Sequence, residues 1–355
     1  MVSTERLKVV DALRGLAASM VLFHHLFVRF NDTFEPLRHW APLVHQLLQS
    51  ISDLNLEAVL LFFVVSGFSI RFSSHRQDFR SSEEINLYIY KRFRRLLPLY
   101  WLALLLALVV GAIAGQLNDH RYGLATLAGN LFFLQSPVSV IGNWFGPYGY
   151  NDPLWSLSFE MFFYISFLVL AVCVRTSRFW GILAIVISVV GLAVNQIFAN
   201  PIAQFASLFV VWFFGVELAD SRLGLASRMS RTVLLGFGVL CALFLFFRES
   251  QTVYQWLYGF LVFAVWQAFV FGSEKSFPGM KLMANVFVRL FGYLGSISYA
   301  LYLFHFPIVY LLFSFVGDNL QSLFLSVIFS IAVSHLAERT IGKYEMKVFR
   351  VRYVR

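Results

Sequence analysis

The sequence predicts an all-α protein, a polytopic transmembrane helical bundle of about ten spans with one re-entrant or interfacial segment. Of its 355 residues, 59% are hydrophobic and only 13% are charged. So few charged side chains cannot cover a soluble core of that apolar content, and lipid is therefore the expected solvent. The 41 Phe and 8 Trp residues also suit lipid-facing helices and interfacial belts. We expect a single transmembrane domain over residues 1–355, with no separate soluble domain.

The expected spans are runs of roughly 20 apolar residues, the length that crosses the hydrocarbon core. These runs are Val9–Val28, Leu54–Phe72, Leu96–Gly115, Pro153–Val174, Phe179–Phe198, Ile202–Ala219, Thr232–Phe247, Val253–Phe271, Leu294–Val316 and Leu320–Ala337. One further stretch, Leu124 to Leu134, is short and leads into a polar stretch that contains Gly and Pro. We interpret it as re-entrant or interfacial, because a crossing there would place the basic tail outside.

Basic residues mark the cytoplasmic side of a membrane protein. The richest basic cluster, from Arg71 to Arg95, follows the second run and lies inside if the N-terminus is cytoplasmic. Ten crossings then leave the other basic segments inside as well, namely Arg175 and Arg178, Arg222, Arg228 and Arg231, Lys275, Lys281 and Arg289, and the tail to Arg355. We therefore expect both termini in the cytoplasm and residues 151–160 at the outer face.

The net charge of +9 does not indicate nucleic-acid binding, because the basic residues lie between apolar runs and form no groove-reading motif. Cys173 and Cys241 lie within apolar runs, where we expect small packing residues rather than a disulfide or a metal site. No metal centre is predicted from the sequence.

Ionisable residues inside an apolar run need a partner, a water-filled cavity or a function. In the first run Arg14 and His25 are eleven residues apart. This spacing places them on nearly the same helix face, about 16 Å apart along the axis. His24 is rotated about 100° from His25 and is the weaker candidate. Alternatively, Arg14 pairs with Asp11 and reaches the interface, while the histidines bond buried carbonyl groups.

The stretch YKRFRRLLPLYW leads into the third run, and its Arg92 and Arg95 are about one helical turn apart. Two guanidinium groups on one side of a helix suit the binding of phosphates. Basic residues also flank spans simply to fix topology, and this stretch alone does not separate the two explanations.

The stretch DPLWSLSFEMFFY begins the fourth run. Its Ser156 or Ser158 suits a helix cap, with Glu160 near the positive end of the helix. A carboxylate beside hydroxyl groups also suits acid–base chemistry on a hydroxyl substrate, which we prefer. His305 lies about 16 Å into the ninth run from Leu294, where the alternative is a buried structural histidine.

Five stretches resemble the acyltransferase-3 family of bacterial membrane acyltransferases, which modify sugars and cell-surface glycans. They are LKVVDALRGLAASMVLFHH, LLFFVVSGFSI, YKRFRRLLPLYW, PLWSLSFE and SISYALYLFHFPI, in the family's order over nearly the whole chain. The resemblance implies that the family's functional positions are Arg14, His25, Arg92, Arg95, Trp155, Ser156, Ser158, Glu160 and His305. His24 departs from the pattern, in which an aromatic residue precedes the histidine.

The resemblance also implies an O-acyltransferase of the bacterial inner membrane with no permanently bound cofactor. Its donor would be cytoplasmic acyl-CoA, expected to be acetyl-CoA, and its acceptor a hydroxyl of a sugar, polysaccharide or other envelope glycan at the outer face. Arg92 and Arg95 would hold the CoA phosphates, and the pantetheine arm would pass Arg14 toward His25. His25 would act as a general base or as a transient acyl carrier, and Glu160 would orient the imidazole or the acceptor.

Trp155 would stack on a sugar face, with Ser156, Ser158 and His305 completing the substrate site. Two other function classes compete with this interpretation. A polytopic transporter or flippase for a glycan or anionic small molecule would also line a central path with charges, but transporters commonly show paired halves and none are visible. A membrane acyltransferase of another fold, acting on lipids through a lone histidine, would not predict the paired arginines.

Overall fold

The computed structural model describes residues 4–137, 142–174, 177–247, 250–272 and 278–342. In those ranges the regular structure is helical, and the pairing of Gln135 with Phe145 is an isolated bridge rather than a strand. The α-helices are α1 (Thr4–Arg29), α2 (Asn31–Trp40), α3 (Pro42–Asp53), α4 (Asn55–Ser74), α5 (Ser82–Ile113), α6 (Leu124–Leu131), α7 (Trp155–Cys173), α8 (Trp180–Ile197), α9 (Pro201–Ser207), α10 (Phe209–Leu223), α11 (Arg228–Phe247), α12 (Gln251–Gly272), α13 (Pro278–Ser296), α14 (Ser298–Val316) and α15 (Leu320–Ala337).

Nine segments of the described chain are long and apolar enough to cross a membrane. They correspond to nine of the ten runs expected from the sequence, and the remaining run, Val253–Phe271, forms α12. The predicted polytopic helical bundle is therefore confirmed. Arg175, Lys275 and the tail to Arg355, which contribute to the predicted orientation, lie outside the described residues.

The short segment after α5 does not cross the membrane. Helix α6 has only eight residues, about 12 Å of helix, against roughly 30 Å of hydrocarbon. The chain turns into the bundle at the end of α6, where Asn130, in the last turn of α6, and Gln135, beyond it, are fully buried. The Asn130 amide donates to the carbonyl oxygen of Gly146 at 2.9 Å, and the Gln135 amide donates to that of Leu154 at 2.9 Å. These bonds satisfy non-helical backbone that lipid alone could not.

Residues 151–160 pack into the bundle, where most are buried and Asp152, Trp155 and Glu160 are partly buried. Their position at the outer face of the membrane stays a prediction. Asn151 has no exposed area, and its amide donates to the carbonyl oxygen of Leu303 in α14 at 2.9 Å. The carbonyl oxygen of Pro153 accepts from the Tyr302 hydroxyl, also on α14, at 2.9 Å. The alternative explanation, in which Ser156 or Ser158 caps the helix, is wrong, because Leu154 is the N-cap of α7 and no side chain caps it.

The ninth run is interrupted near its start. Helix α13 ends at Ser296 and α14 begins at Ser298, with Ile297 between them and its backbone N–H bonded to the Leu294 carbonyl. His305 therefore lies seven residues from the start of its helix, about 10 Å rather than 16 Å. By hydropathy the run is continuous, because the polar side chains at the break are only those of Ser296 and Ser298 and the residues on both sides are mostly apolar.

Two close helix crossings hold the interior polar residues in place. Helix α4 meets α10 at Gly67 and Gly215, and α1 meets α13 at Gly15 and Gly295. A side chain at any of these glycines would overlap a backbone carbonyl oxygen of the opposite helix. The helices can approach so closely only because these residues are Gly. The side chains next to the glycines, including Arg14, are held at fixed positions as a result.

Candidate active site

Arg14 connects the first helix to α4 rather than standing alone. One of its terminal nitrogens donates to the Ser69 hydroxyl at 2.8 Å, while the other is 3.5 Å from Asp11. The shorter bond is the interhelical one, so pairing with Asp11 does not by itself explain the arginine. Arg14 also lies within electrostatic range of Arg95 and Glu160.

Glu160 lies in a hydrogen-bonded network that joins three helices. Its Oε1 accepts from the Ser66 hydroxyl of α4 at 2.8 Å and from the Tyr164 hydroxyl one turn further along α7. The Trp212 indole N–H of α10 in turn donates to Ser66 at 3.3 Å. No hydrogen bond joins Glu160 to His25 in the described chain. The resemblance implies that Glu160 orients the imidazole or the acceptor, and both roles stay predictions.

The two adjacent histidines of α1 have different surroundings. The Nδ1 of His24 donates to the Ser52 carbonyl oxygen at 2.9 Å, and the Asn55 amide is 3.2 Å from the same nitrogen. His25 makes no hydrogen bond to the described residues, and it contacts the rings of His305 at 5.2 Å and Phe306 at 4.7 Å between centroids. His24 therefore ties α1 to its neighbours, while the ring nitrogens of His25 remain available.

His305 is buried, and its hydrogen bonding defines its tautomer. Its Nδ1 lies 2.8 Å from the carbonyl oxygen of Leu301, which can only accept, so the proton is on Nδ1. In a neutral imidazole the Nε2 then carries the lone pair. That Nε2 is buried and has no partner in the described chain. His305 is thus only half satisfied by the protein, unlike a purely structural histidine.

Arg92 and Arg95 are held by separate protein partners, and their joint binding of phosphates stays a prediction. Arg92 donates to the Ser73 hydroxyl at 2.8 Å, whereas Arg95 donates to Glu338, beyond the end of α15, at 2.8 Å. The Arg95 side chain remains 54% exposed, so it is accessible to a ligand. The two guanidinium groups share one side of α5, but distant elements hold them separately.

The remaining predicted residues lie between α7 and α14. The Ser156 hydroxyl is 2.7 Å from that of Tyr302, while the buried Ser158 hydroxyl has no partner among the described residues. Trp155 is partly buried and meets the ring of Phe159 edge-on at 5.4 Å. The expected stacking of Trp155 on a sugar face stays a prediction.

Sequence reasoning missed four residues that complete these networks: Ser66, Ser69, Tyr164 and Tyr302. A usable signal existed for three of them. Ser66 and Ser69 are polar residues in the apolar stretch LLFFVVSGFSI, and Tyr164 lies four residues after Glu160, hence on the same helix face. Tyr302 gave no comparable signal, because a tyrosine in an aromatic-rich span is common.

Comparison with known proteins decides the family. The acyltransferase-3 model, described as an acyltransferase domain, matches residues 7–339. The chain belongs to the acyltransferase-3 family. As a member it is an acyl-transferring membrane enzyme. This excludes the alternative of a protein that only transports its substrate.

A curated relative supports the same assignment. The chain is 30% identical over 269 residues to the exopolysaccharide production protein ExoZ of Rhizobium meliloti (strain 1021), covering 69% of this chain and 74% of that protein. No solved structure matches this acyltransferase-3 chain.

Proposed function

We propose that this enzyme transfers an acetyl group from cytoplasmic acetyl-CoA to a sugar hydroxyl of an envelope glycan at the outer face of the inner membrane. Family membership supports the acyl transfer, and the relative named for exopolysaccharide production supports a glycan acceptor. The observation that carries the assignment is the His25–His305 pair. Two imidazole rings are stacked inside the bundle, and neither has its hydrogen-bonding capacity filled by the protein.

In the proposed reaction His25 is the general base. It accepts the proton of the acceptor hydroxyl while that oxygen attacks the thioester carbonyl carbon. The carbon–sulfur bond then breaks, and the imidazolium returns the proton to the departing CoA thiolate. The products are an acetylated sugar and CoA thiol. The Nε2 lone pair of His305 accepts a hydrogen bond from a neighbouring sugar hydroxyl and so orients the acceptor.

The donor is held by the cationic residues on the other side of this pair. Arg95, which is exposed, and Arg92 bind the CoA phosphates at the inner mouth, and the pantetheine arm extends along α1 past Arg14. Arg14 is about 16 Å from His25 along the helix, so it contacts the arm rather than the reacting carbonyl. Glu160, whose partners are hydroxyl groups and not His25, positions the helices around that path.

The direct test is reconstitution in sealed vesicles with acetyl-CoA supplied on one side and oligosaccharide on the other. We expect acetylated sugar only when acetyl-CoA is on the side of Arg95. The orientation of the protein is read from a cysteine replacing Trp40, an 88% exposed residue of α2 that we assign to the outer side. If sugar is acetylated only when both substrates are on the same side, the proposed transfer across the membrane is wrong.

A second experiment distinguishes direct transfer from a covalent carrier. Purified enzyme is incubated with acetyl-CoA labelled in the acetyl group, without acceptor, and then denatured and analysed by intact mass. Direct transfer predicts no gain of an acetyl mass on the protein. A stable or hydroxylamine-sensitive acetyl group that disappears in His25→Ala would instead assign His25 as the carrier.

A further inference from the structure

Glu338 contacts one of the proposed phosphate-binding arginines, and the chemistry described so far gives it no role. Its Oε1 accepts from the Nη1 of Arg95 at 2.8 Å, although the two residues are 243 positions apart in the sequence. Glu338 is the C-cap of α15 and begins a π-helical turn, Glu338–Gly342. Its side chain is 13% exposed, whereas that of Arg95 is 54% exposed. A largely buried carboxylate therefore meets an accessible guanidinium group.

The stability of the fold does not explain this carboxylate well. Its second oxygen, Oε2, is buried and has no hydrogen-bond partner among the described residues. The C-terminal end of a helix also carries partial negative charge, which disfavours a carboxylate there. An ion pair whose cation is half exposed contributes little to stability. The pair is better explained by what it does to Arg95.

The Arg95 guanidinium is held on two sides. Glu338 holds one terminal nitrogen, and the guanidinium carbon lies 5.8 Å from the centre of the Tyr299 ring. That ring is itself fixed to α5, because the Tyr299 hydroxyl donates to the Leu96 carbonyl oxygen at 2.9 Å. The other N–H groups of Arg95 bond to no described residue. A guanidinium group has five N–H donors, so a free edge remains that can make two parallel bonds to one phosphate.

A phosphate that binds here adds to Glu338 and does not replace it. If Arg95 moved away to a phosphate, the Glu338 carboxylate would stay buried with neither oxygen partnered. The free-energy penalty of an unpaired buried carboxylate exceeds the gain from one phosphate contact. The bound state with the lower free energy is therefore a guanidinium group that bridges the carboxylate and the phosphate.

Arg92 offers a contrast at the neighbouring position. It is also held by a partner and a ring, since it donates to the Ser73 hydroxyl at 2.8 Å and lies 5.2 Å from the centre of the Tyr88 ring. Its partner is neutral, however, whereas that of Arg95 carries a negative charge. A carboxylate close to a phosphate site repels the phosphate. The sign of the effect on donor affinity therefore distinguishes a positioning role from competition with the donor.

We propose that Glu338 is a positioning residue of the donor site, which fixes the Arg95 guanidinium so that its free edge faces the CoA phosphates. The inference rests on the proposed function, and it adds the C-terminal end of α15 to the donor site. Without Glu338 the long Arg95 side chain samples several rotamers in the free enzyme. Ordering it again on binding weakens the donor affinity.

The test measures the binding of CoA to the full-length protein in nanodiscs by isothermal titration calorimetry. Glu338→Ala should weaken CoA binding about twofold to tenfold, the cost of ordering one long side chain. The KM for acetyl-CoA should rise by the same factor, with kcat unchanged at saturating acetyl-CoA. Glu338→Gln keeps an acceptor oxygen for Arg95 and should recover most of the affinity.

A double variant separates positioning from a general structural effect. In an Arg95→Ala background, Glu338→Ala should change CoA affinity no further, because the side chain that it positions is absent. A role in the fold alone would weaken binding in both backgrounds. The matched control is Glu84→Ala, which removes a carboxylate that accepts from the Gln77 amide at 3.2 Å and should bind CoA normally. Monodispersity of each variant in detergent distinguishes lost contacts from misfolding.

Three results would overturn the proposal. The first is tighter CoA binding in both Glu338→Ala and Glu338→Gln, which would make the carboxylate a competitor of the phosphate. The second is unchanged binding in Glu338→Ala while Arg95→Ala binds weakly, and the third is equal weakening with and without Arg95. Failure of the proposed function gives a different result. In that case Arg95→Ala itself binds CoA normally, so the donor site is wrong and the role of Glu338 falls with it.

Discussion

The interior contains two polar regions that differ in whether the protein supplies their hydrogen-bond partners. Around Glu160 the polar groups bond to one another, with Ser66, Tyr164 and Trp212 linking α4, α7 and α10. At the histidine pair, His25 makes no hydrogen bond to described residues and the buried Nε2 of His305 has none. A polar group that hydrogen-bonds to the protein supports the fold. A buried polar group without a hydrogen-bond partner costs free energy unless a substrate supplies the partner. The comparison therefore separates supporting residues from those that meet substrate.

The largest expected effect is at the histidine pair, where the protein does not supply all the hydrogen-bond partners. His25→Ala should lower the rate of acetyl transfer by roughly 10²–10⁴-fold, the usual contribution of a positioned base. Thermal stability in detergent should hardly change, because no hydrogen bond to a described residue is lost. Transfer to oligosaccharide and the denaturation midpoint are measured on the same preparation. Large destabilisation with residual transfer would place His25 among the supporting residues and break the comparison.

The next effect concerns the donor site. Arg95→Ala should raise the KM for acetyl-CoA about 10-fold to 150-fold, since a charge-assisted hydrogen bond contributes about 1.5–3 kcal/mol. Arg92→Ala should act in the same direction, and lysine at either position should restore only part of the affinity. Arg94→Ala is the matched control, because it removes the same charge from another face of α5. Normal donor KM in both alanine variants would leave the pair as a topology signal only.

Substitutions in the hydrogen-bonded network around Glu160 should mainly change the stability of the protein. Glu160→Ala leaves the hydroxyl groups of Ser66 and Tyr164 without their acceptor and should lower the free energy of unfolding by about 1–3 kcal/mol. Glu160→Gln keeps an acceptor oxygen and should be milder, with substantial transfer retained. Thermal denaturation and transfer assays check both variants. If the Glu160→Gln protein is stable but transfers no acetyl group, Glu160 takes part in the reaction rather than only in the fold.

The smallest expected effect is at His24. His24→Ala loses the bond to Ser52 and should cost about 1 kcal/mol of stability or less, with most of the transfer rate retained. Its value lies in the comparison with His25, because the two residues are adjacent in one helix. Expression-matched cells are assayed for glycan acetylation by mass spectrometry. An inactive His24→Ala beside an active His25→Ala would reverse the assignment.

The spans were predictable because hydrophobic length is a local property of the sequence. The amphipathic helices α2 and α3 were not, since neither contains a long apolar run and α2 buries no residue. The burial of Asn151 was also unpredictable. Its partner is a backbone carbonyl 152 residues further along the chain, and no local pattern reports such a contact.

The candidate site was predictable by residue type but not by partner. Unusual polar residues in apolar runs correctly drew attention to Arg14, Glu160 and His305, all of which lie in interior contacts. The spacing of Arg92 and Arg95 gave their shared helix side but not their separate partners. Those partners come from α4 and from beyond α15, so only the tertiary fold determines them. The catalytic roles themselves stay predictions.

The proline in α14 ties the helix turn that carries His305 to a loop outside that helix. Pro307 has no N–H, so the carbonyl of Leu303, four residues earlier, has no helical donor. Asn151, in the loop before α7, donates to that carbonyl instead at 2.9 Å. His305 lies between Leu303 and Pro307. The backbone around this imidazole is therefore completed by a side chain 152 residues away in the sequence, so the geometry of the histidine pair depends on the loop before α7 as well as on α1 and α14.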